Sequence, residues 1–145
     1  MLVFEDLKYT EGHLWVRIEE NIATIGLTDF GQTLLGNLLS IDLPDEGEEF
    51  IKDDVFATVE GKRGFMELYT PLTGKVVEIH DSLIDEPDLV NSDPYEDGWL
   101  IRLEFSQPEE LEELLMADDY ESIVEELKLT QEEDDDMDFE EEYDE

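Results

Sequence analysis

Through most of the first 105 residues the apolar side chains come in short stretches, each broken within a few positions by Gly, Asp, Asn or Pro. Runs this short are poor helices but suit strands, and the turn signals between them predict an all-β sandwich or barrel. Trp15-Val16-Arg17-Ile18 and the stretch from Ile22 to Leu27 flank Glu19-Glu20-Asn21, which has the length and chemistry of a hairpin loop. Leu38 to Leu43 forms another stretch, ended by Pro44-Asp45-Glu46-Gly47. Val55 to Glu60 and Phe65 to Tyr69 enclose Gly61-Lys62-Arg63-Gly64, and Gly74 to His80 and Trp99 to Phe105 follow.

Helices are expected in three places. Thr28 or Asp29 is placed to cap a two-turn helix that Gly36 can end in a left-handed conformation. Ser106-Gln107-Pro108-Glu109 has the form of a capping box with proline in the first turn, predicting a helix to about Met116. Asp118, with Glu121 three residues on, predicts a second helix whose apolar face is Tyr120, Ile123, Val124 and Leu127.

A chain of 145 residues suffices for one domain with a real core. From Thr130 onward, eleven acids in sixteen residues leave too little apolar surface to offset the entropy of ordering. The expected division is therefore a folded domain over 1–128 and a disordered acidic tail over 129–145.

Charge narrows the function. The formal net charge is −36, of which the residues before Thr130 carry −25, so the folded part is acidic in its own right. Such a surface repels nucleic acid and anionic lipid, favours basic-faced partners, and through self-repulsion favours a monomer. A salt-rich cytoplasm is another route to such a surface. With no cysteine there is no disulfide or thiolate site, and the first residues lack the basic and long apolar segments of a signal peptide, so a cytoplasmic location is expected. His13 and His80 stand outside any metal-ligand spacing, and His13, beside Trp15 at a strand start, reads as a structural histidine. No nucleophile elbow, phosphate loop or dinucleotide fingerprint is present. An enzyme using its acids would need two carboxylates sharing a cleft.

Of eight basic residues only Lys62 and Arg63 are adjacent, and they sit between glycines at a hairpin tip. Polar residues flanked by glycines make a good turn for their own sake, so this feature alone leaves a plain turn and a functional tip both open.

Four ordered blocks resemble one family. Tyr9-Thr10-Glu11-Gly12-His13-Leu14-Trp15-Val16 is similar to the opening of glycine cleavage H proteins, and the segment from Ile25 through Gly36 to Leu43-Pro44 to their helix-and-strand region. Val59-Glu60 and Tyr69-Thr70-Pro71-Leu72-Thr73-Gly74-Lys75 resemble the two arms of their lipoyl hairpin. Leu89-Val90-Asn91-Ser92-Asp93-Pro94-Tyr95, with Gly98-Trp99-Leu100, resembles the family's most distinctive run.

The resemblance implies a mainly β, flattened barrel or sandwich of the lipoyl/biotinyl type with a short inserted helix and C-terminal helices. It implies a non-catalytic carrier of covalent lipoate. The implied partners are glycine decarboxylase (P protein), aminomethyltransferase (T protein), dihydrolipoamide dehydrogenase and a lipoate ligase or lipoyltransferase. A tethered arm on an exposed tip gives a bound group high effective concentration at several partner sites.

The family's acceptor lysine lies three residues after the hairpin glutamate and six before the tyrosine. Counting from Glu60 and from Tyr69, both reach Arg63. A guanidinium stays protonated and is no nucleophile for amide formation. Lys62, one position early, is the candidate attachment residue, and Gly61 and Gly64 admit backbone angles that would present it. Leu14 also replaces an acid common between the family's His and Trp. Two readings stand: a lipoyl carrier modified at Lys62, or an unlipoylated H-like interaction or regulatory module.

Overall fold

The turn residues fall where the strands end, and the result is two antiparallel sheets packed against each other. The computed structural model describes residues 7–138, with side chains through residue 127. Strands β1 (Lys8–Tyr9), β2 (Leu14–Glu19) and β3 (Ile22–Leu27) lead into helix α1 (Asp29–Leu35). Then come β4 (Leu38–Asp42), β5 (Glu49–Phe50), β6 (Val55–Gly61), β7 (Gly64–Tyr69) and β8 (Gly74–Ile79). The short helices α2 (Ser82–Asp85) and α3 (Leu89–Ser92) precede β9 (Trp99–Phe105). A 3-10 turn over Pro108–Glu113 and helix α4 (Ala117–Asp138) complete the described chain.

The larger sheet runs β1-β2-β3-β9-β8-β5 and the smaller β4-β6-β7. Alternation along β2 shows how one strand serves two cores. Leu14 and Val16 face the smaller sheet and join Ile25, Val59, Leu68 and Ile101 in the main core. Trp15 faces the other way, into a second cluster with Tyr9, Phe30, Tyr95, Tyr120 and Val124. Trp15 lies flat across β3 because Gly26 has no side chain: a β-carbon there would lie 2.5 Å from the Trp15 ring. Its indole N–H donates to the Pro94 carbonyl at 2.8 Å.

The seven strands read from the sequence are all present. The two-residue β1 and β5 and the one-turn α2 and α3 are additional, and too short to leave a periodic signature. Helix α1 forms as expected: Thr28 caps it by accepting from the Gly31 amide, and Gly36 ends it at φ +72°.

Near the C-terminus the structure departs from the sequence reading. The expected capping box at Ser106 does not form, because the Ser106 amide donates to the Thr73 carbonyl at 3.0 Å. Glu110 accepts from the Thr73 amide at 2.7 Å and hydroxyl at 2.8 Å, and the segment winds as a 3-10 turn ending at Glu113 rather than an α-helix reaching Met116. Helix α4 starts at Ala117, ahead of Asp118, and its backbone runs to Asp138, past the boundary expected after residue 128. Tyr120 and Val124, both fully buried, anchor its first turns, and extending a formed helix costs far less than starting one. Residues 139–145 of the expected tail lie outside the described residues.

Candidate functional site

The β6–β7 hairpin closes through a two-residue turn. Gly61 pairs with Gly64, leaving Lys62 and Arg63 as the turn itself, so both side chains belong to the tip. Neither they nor the flanking glycines take a positive φ, so the unusual backbone angles expected of Gly61 and Gly64 are not used. Gly61 serves another purpose. A β-carbon on it would meet the Leu35 carbonyl group, with the carbonyl carbon at 2.9 Å, so a bare backbone lets the hairpin approach the end of α1.

That approach is fixed by hydrogen bonds. The Lys62 amide donates to the Asn37 carbonyl at 3.0 Å and the Arg63 amide to the Leu35 carbonyl at 2.8 Å. Both turn amides, which water would otherwise solvate, are thereby committed to the α1–β4 connection.

The two tip side chains are held differently. Arg63 folds back over α1: its Cγ and Cδ would lie 2.8 and 2.9 Å from a β-carbon at Gly36, and its Nη1 points at the Thr33 carbonyl, 3.5 Å away. A cation suits that place, since the last turn of α1 has no basic residue of its own and its carbonyls carry partial negative charge. Lys62 is exposed, and its amine has no hydrogen bond or ion pair with any described residue. Glu60, pairing across to Phe65, is exposed on the outer face of the smaller sheet.

The α1–β4 connection is itself braced from α3. Asn91 donates its side-chain amide to the Gly36 carbonyl at 3.0 Å and to Gln32 Oε1 at 2.7 Å, while its own oxygen accepts from the Leu38 amide at 2.8 Å. Tyr95, from the same run of sequence, accepts from the Asp29 amide at the other end of α1 at 3.1 Å. Sequence reasoning met this run only as a resemblance. Its signal was an Asn and a Tyr standing four apart in a polar, proline-containing loop, residue types suited to satisfying backbone groups.

His13 is a structural residue, 9 % exposed. Its Nδ1 lies 3.0 Å from the Tyr120 hydroxyl, which in turn lies 2.6 Å from Thr28 Oγ1, the cap of α1. Burial holds the His13 pKa below the usual histidine value and pushes the Tyr120 phenol up. Leu14 is buried in the main core, at the wall of a cleft between β7 and the β1–β2 loop. Glu67 and Glu113 share that cleft, but Glu113 is bound to Lys52 at 2.9 Å and Glu67 accepts from the Tyr69 hydroxyl at 3.3 Å. Hydrogen bonding to Glu113 raises the Lys52 pKa. Among the described residues no cluster of His, Cys, Asp or Glu is suited to a metal ion.

The architecture is a mainly β, two-sheet sandwich presenting a braced hairpin with a basic tip. Comparison with known proteins narrows this. Residues 7–127 match the family model described as glycine cleavage H-protein. The chain is 46 % identical over 125 residues to the glycine cleavage system H protein of Carboxydothermus hydrogenoformans, covering 86 % of this chain and 96 % of that one. It is 48 % identical over 120 residues to that of Oceanobacillus iheyensis, covering 83 % and 95 %. A crystal structure of a glycine cleavage system H protein from Mycobacterium marinum superposes with a TM-score of 0.73 at 27 % identity, covering 81 % of this chain and 95 % of that one. The chain belongs to the glycine cleavage H-protein family, whose members are the non-catalytic lipoyl carriers of the glycine cleavage system.

Proposed function

We propose that this chain carries lipoate on Lys62, one position before the family's attachment site, with Arg63 as the anchor of the turn that displays it. The observation that carries this reading is the contrast at the tip. The Lys62 amine is exposed without a partner among the described residues, whereas Arg63 is folded onto Gly36 and the end of α1. Because the turn has two residues, a shift of one position keeps the amine on the tip instead of turning it into the sheet.

Attachment requires only a reachable amine. The unprotonated Nζ of Lys62 attacks the acyl carbon of an activated lipoyl ester, the C–N bond forms as the activating group leaves, and the amine's proton passes to solvent. Lipoate, once joined, supplies a redox-active disulfide at the end of a long flexible arm. The chain's own residues position that arm: Gly61 and the two turn amides fix the tip, and the acidic surface suits basic-faced partners. On this reading the partners are glycine decarboxylase, the aminomethyltransferase and dihydrolipoamide dehydrogenase, with a lipoate ligase or lipoyltransferase acting on Lys62. The working location is the cytoplasm; no helix among the described residues is long and apolar enough to cross a membrane. The carrier domain spans 1–128 and the acidic segment 129–145 is an appendage to it.

Arg63 at the family's attachment position favours a second reading, an unlipoylated H-like interaction or regulatory module. Intact mass and peptide mapping of the protein from lipoate-replete cells decide between them. The carrier reading expects the mass of one lipoyl group on Lys62 and its loss in Lys62→Arg, with no change in thermal midpoint, because the Lys62 side chain bonds to nothing that the structure describes. A bare mass, or an adduct on Lys8, Lys52, Lys75 or Lys128, overturns it.

A further inference from the structure

Three consecutive carbonyls at the end of α1 accept alternately from the hairpin tip and from α3. The Leu35 and Asn37 carbonyls accept from the Arg63 and Lys62 amides, while the Gly36 carbonyl between them accepts from the Asn91 side chain. Asn91 also accepts from the Leu38 amide, so one side chain grips the connection immediately before and immediately after Asn37. From this alternation we infer that Asn91 is a positioning residue for the tip: it sets where the Lys62 amine stands relative to the body of the protein. The inference deepens the carrier reading and rests on it for its functional meaning.

The physical need is plain. Helix α1 has only seven residues, and the ends of so short a helix fray unless something outside the helix holds them. The tip cannot provide that hold alone, because it is itself a two-residue turn docked on the same fraying end. Asn91 comes from a separate and rigid place. Its neighbour Val90 is fully buried, and a β-carbon on Gly98 would lie 2.9 Å from the Val90 α-carbon, so α3 is packed tightly against the β9 approach. A third bond, to Gln32 Oε1, ties the same amide to the body of α1. Asparagine is the residue for this task because one planar group donates twice, to the Gly36 carbonyl and to Gln32 Oε1, and accepts once, from the Leu38 amide. Aspartate keeps the acceptor for Leu38 but loses both donors and turns a charge toward the Gly36 carbonyl.

A merely stabilising Asn91 would lower global stability without singling out the tip. The two roles separate in amide hydrogen exchange, read residue by residue, on the full chain and on Asn91→Ala and Asn91→Asp. Positioning predicts that exchange at Lys62 and Arg63 speeds up by about tenfold or more, the scale of losing one or two hydrogen bonds, while amides in β3 and β9 keep their protection. It also predicts a drop of similar size in kcat/KM for lipoylation of Lys62 by a lipoate–protein ligase supplied with lipoate and ATP. Unchanged exchange at 62 and 63, or an equal rise throughout both sheets, overturns the inference. If Asn91→Ala fails to fold, Asn91→Asp, which retains the Leu38 bond, gives the same reading. If the unsubstituted chain takes no lipoate, the carrier reading falls by itself, and the exchange measurement still decides whether Asn91 holds the tip.

Discussion

Arg63 occupies the space that a side chain on Gly36 would need. A β-carbon at Gly36 would lie 2.8 Å from Arg63 Cγ, and Gly36 itself sits at φ +72°. Two costs therefore meet in Gly36→Ala: a left-handed backbone angle that alanine resists, and a collision with the anchor of the tip. The substitution is expected to destabilise the fold by about 1–3 kcal/mol, read from the urea midpoint. Combining it with Arg63→Ala should recover the steric share and leave the backbone share. Simple additivity of the two substitutions would contradict the contact.

Gly61 and Gly64 frame the same turn but are not equivalent. A β-carbon at Gly61 meets the Leu35 carbonyl group, whereas at Gly64 the nearest atom is Leu35 Cδ2 at 4.0 Å. Gly64→Ala should therefore shift stability by no more than about 0.5 kcal/mol, and Gly61→Ala should free the tip from α1. Amide exchange at Lys62 and Arg63 reports the difference. Equal behaviour of the two variants would mean that the glycines serve the turn and not the docking.

These contrasts mark what the sequence made legible. Strand positions were readable because each is a short apolar stretch bounded by turn residues, whereas the two cores that Leu14, Trp15 and Val16 serve were not, since all three side chains are apolar. Helix α1 was readable because Thr28 and Gly36 are local signals. The brace was not, because Asn91 acts on Gly36 and Leu38 from more than fifty residues away and nothing in its own neighbourhood announces the partners. The capping box at Ser106 misled for a related reason: Thr73 claims Glu110 and the Ser106 amide, and a distant contact overrode a local preference. Lys62 and Arg63 could be placed at a tip from sequence and told apart by their chemistry, but which of them leans on α1 could not be read there.

The Tyr120 hydroxyl joins α4 to both His13 and the cap of α1, and its ring stacks on Tyr9 with centroids 4.8 Å apart. Tyr120→Phe keeps the stacking and removes only the bridge, taking from His13 Nδ1 its hydroxyl partner and leaving Thr28 Oγ1 with the Gly31 amide alone. A loss of about 1–3 kcal/mol is expected, measured by chemical denaturation. A neutral result would mean that the two groups find other partners and that α4 is held by its apolar face alone.

His13 makes the stability of this contact depend on pH. Burial lowers its pKa below the usual histidine value, so the folded protein refuses a proton that the unfolded chain accepts near pH 6.5. Above that value neither state is protonated at this ring and nothing is lost. As pH falls below it, the unfolded state gains protonation free energy that the folded state does not, and stability declines until the folded pKa is reached. The slope from one such group cannot exceed about 1.4 kcal/mol per pH unit. His13 sits at φ +69°, an angle asparagine tolerates, so His13→Asn removes the titration without adding backbone strain. The two proteins differ at this one residue, so the contributions of the rest of the chain cancel to first order in the difference between their stability curves. That difference, from urea midpoints taken between about pH 8 and 5, should be constant at the alkaline end and bend in favour of the asparagine variant below about 6.5. A flat difference across the whole range would mean that the imidazole charges as easily inside the fold as outside it, and that the Tyr120 contact does not enclose it.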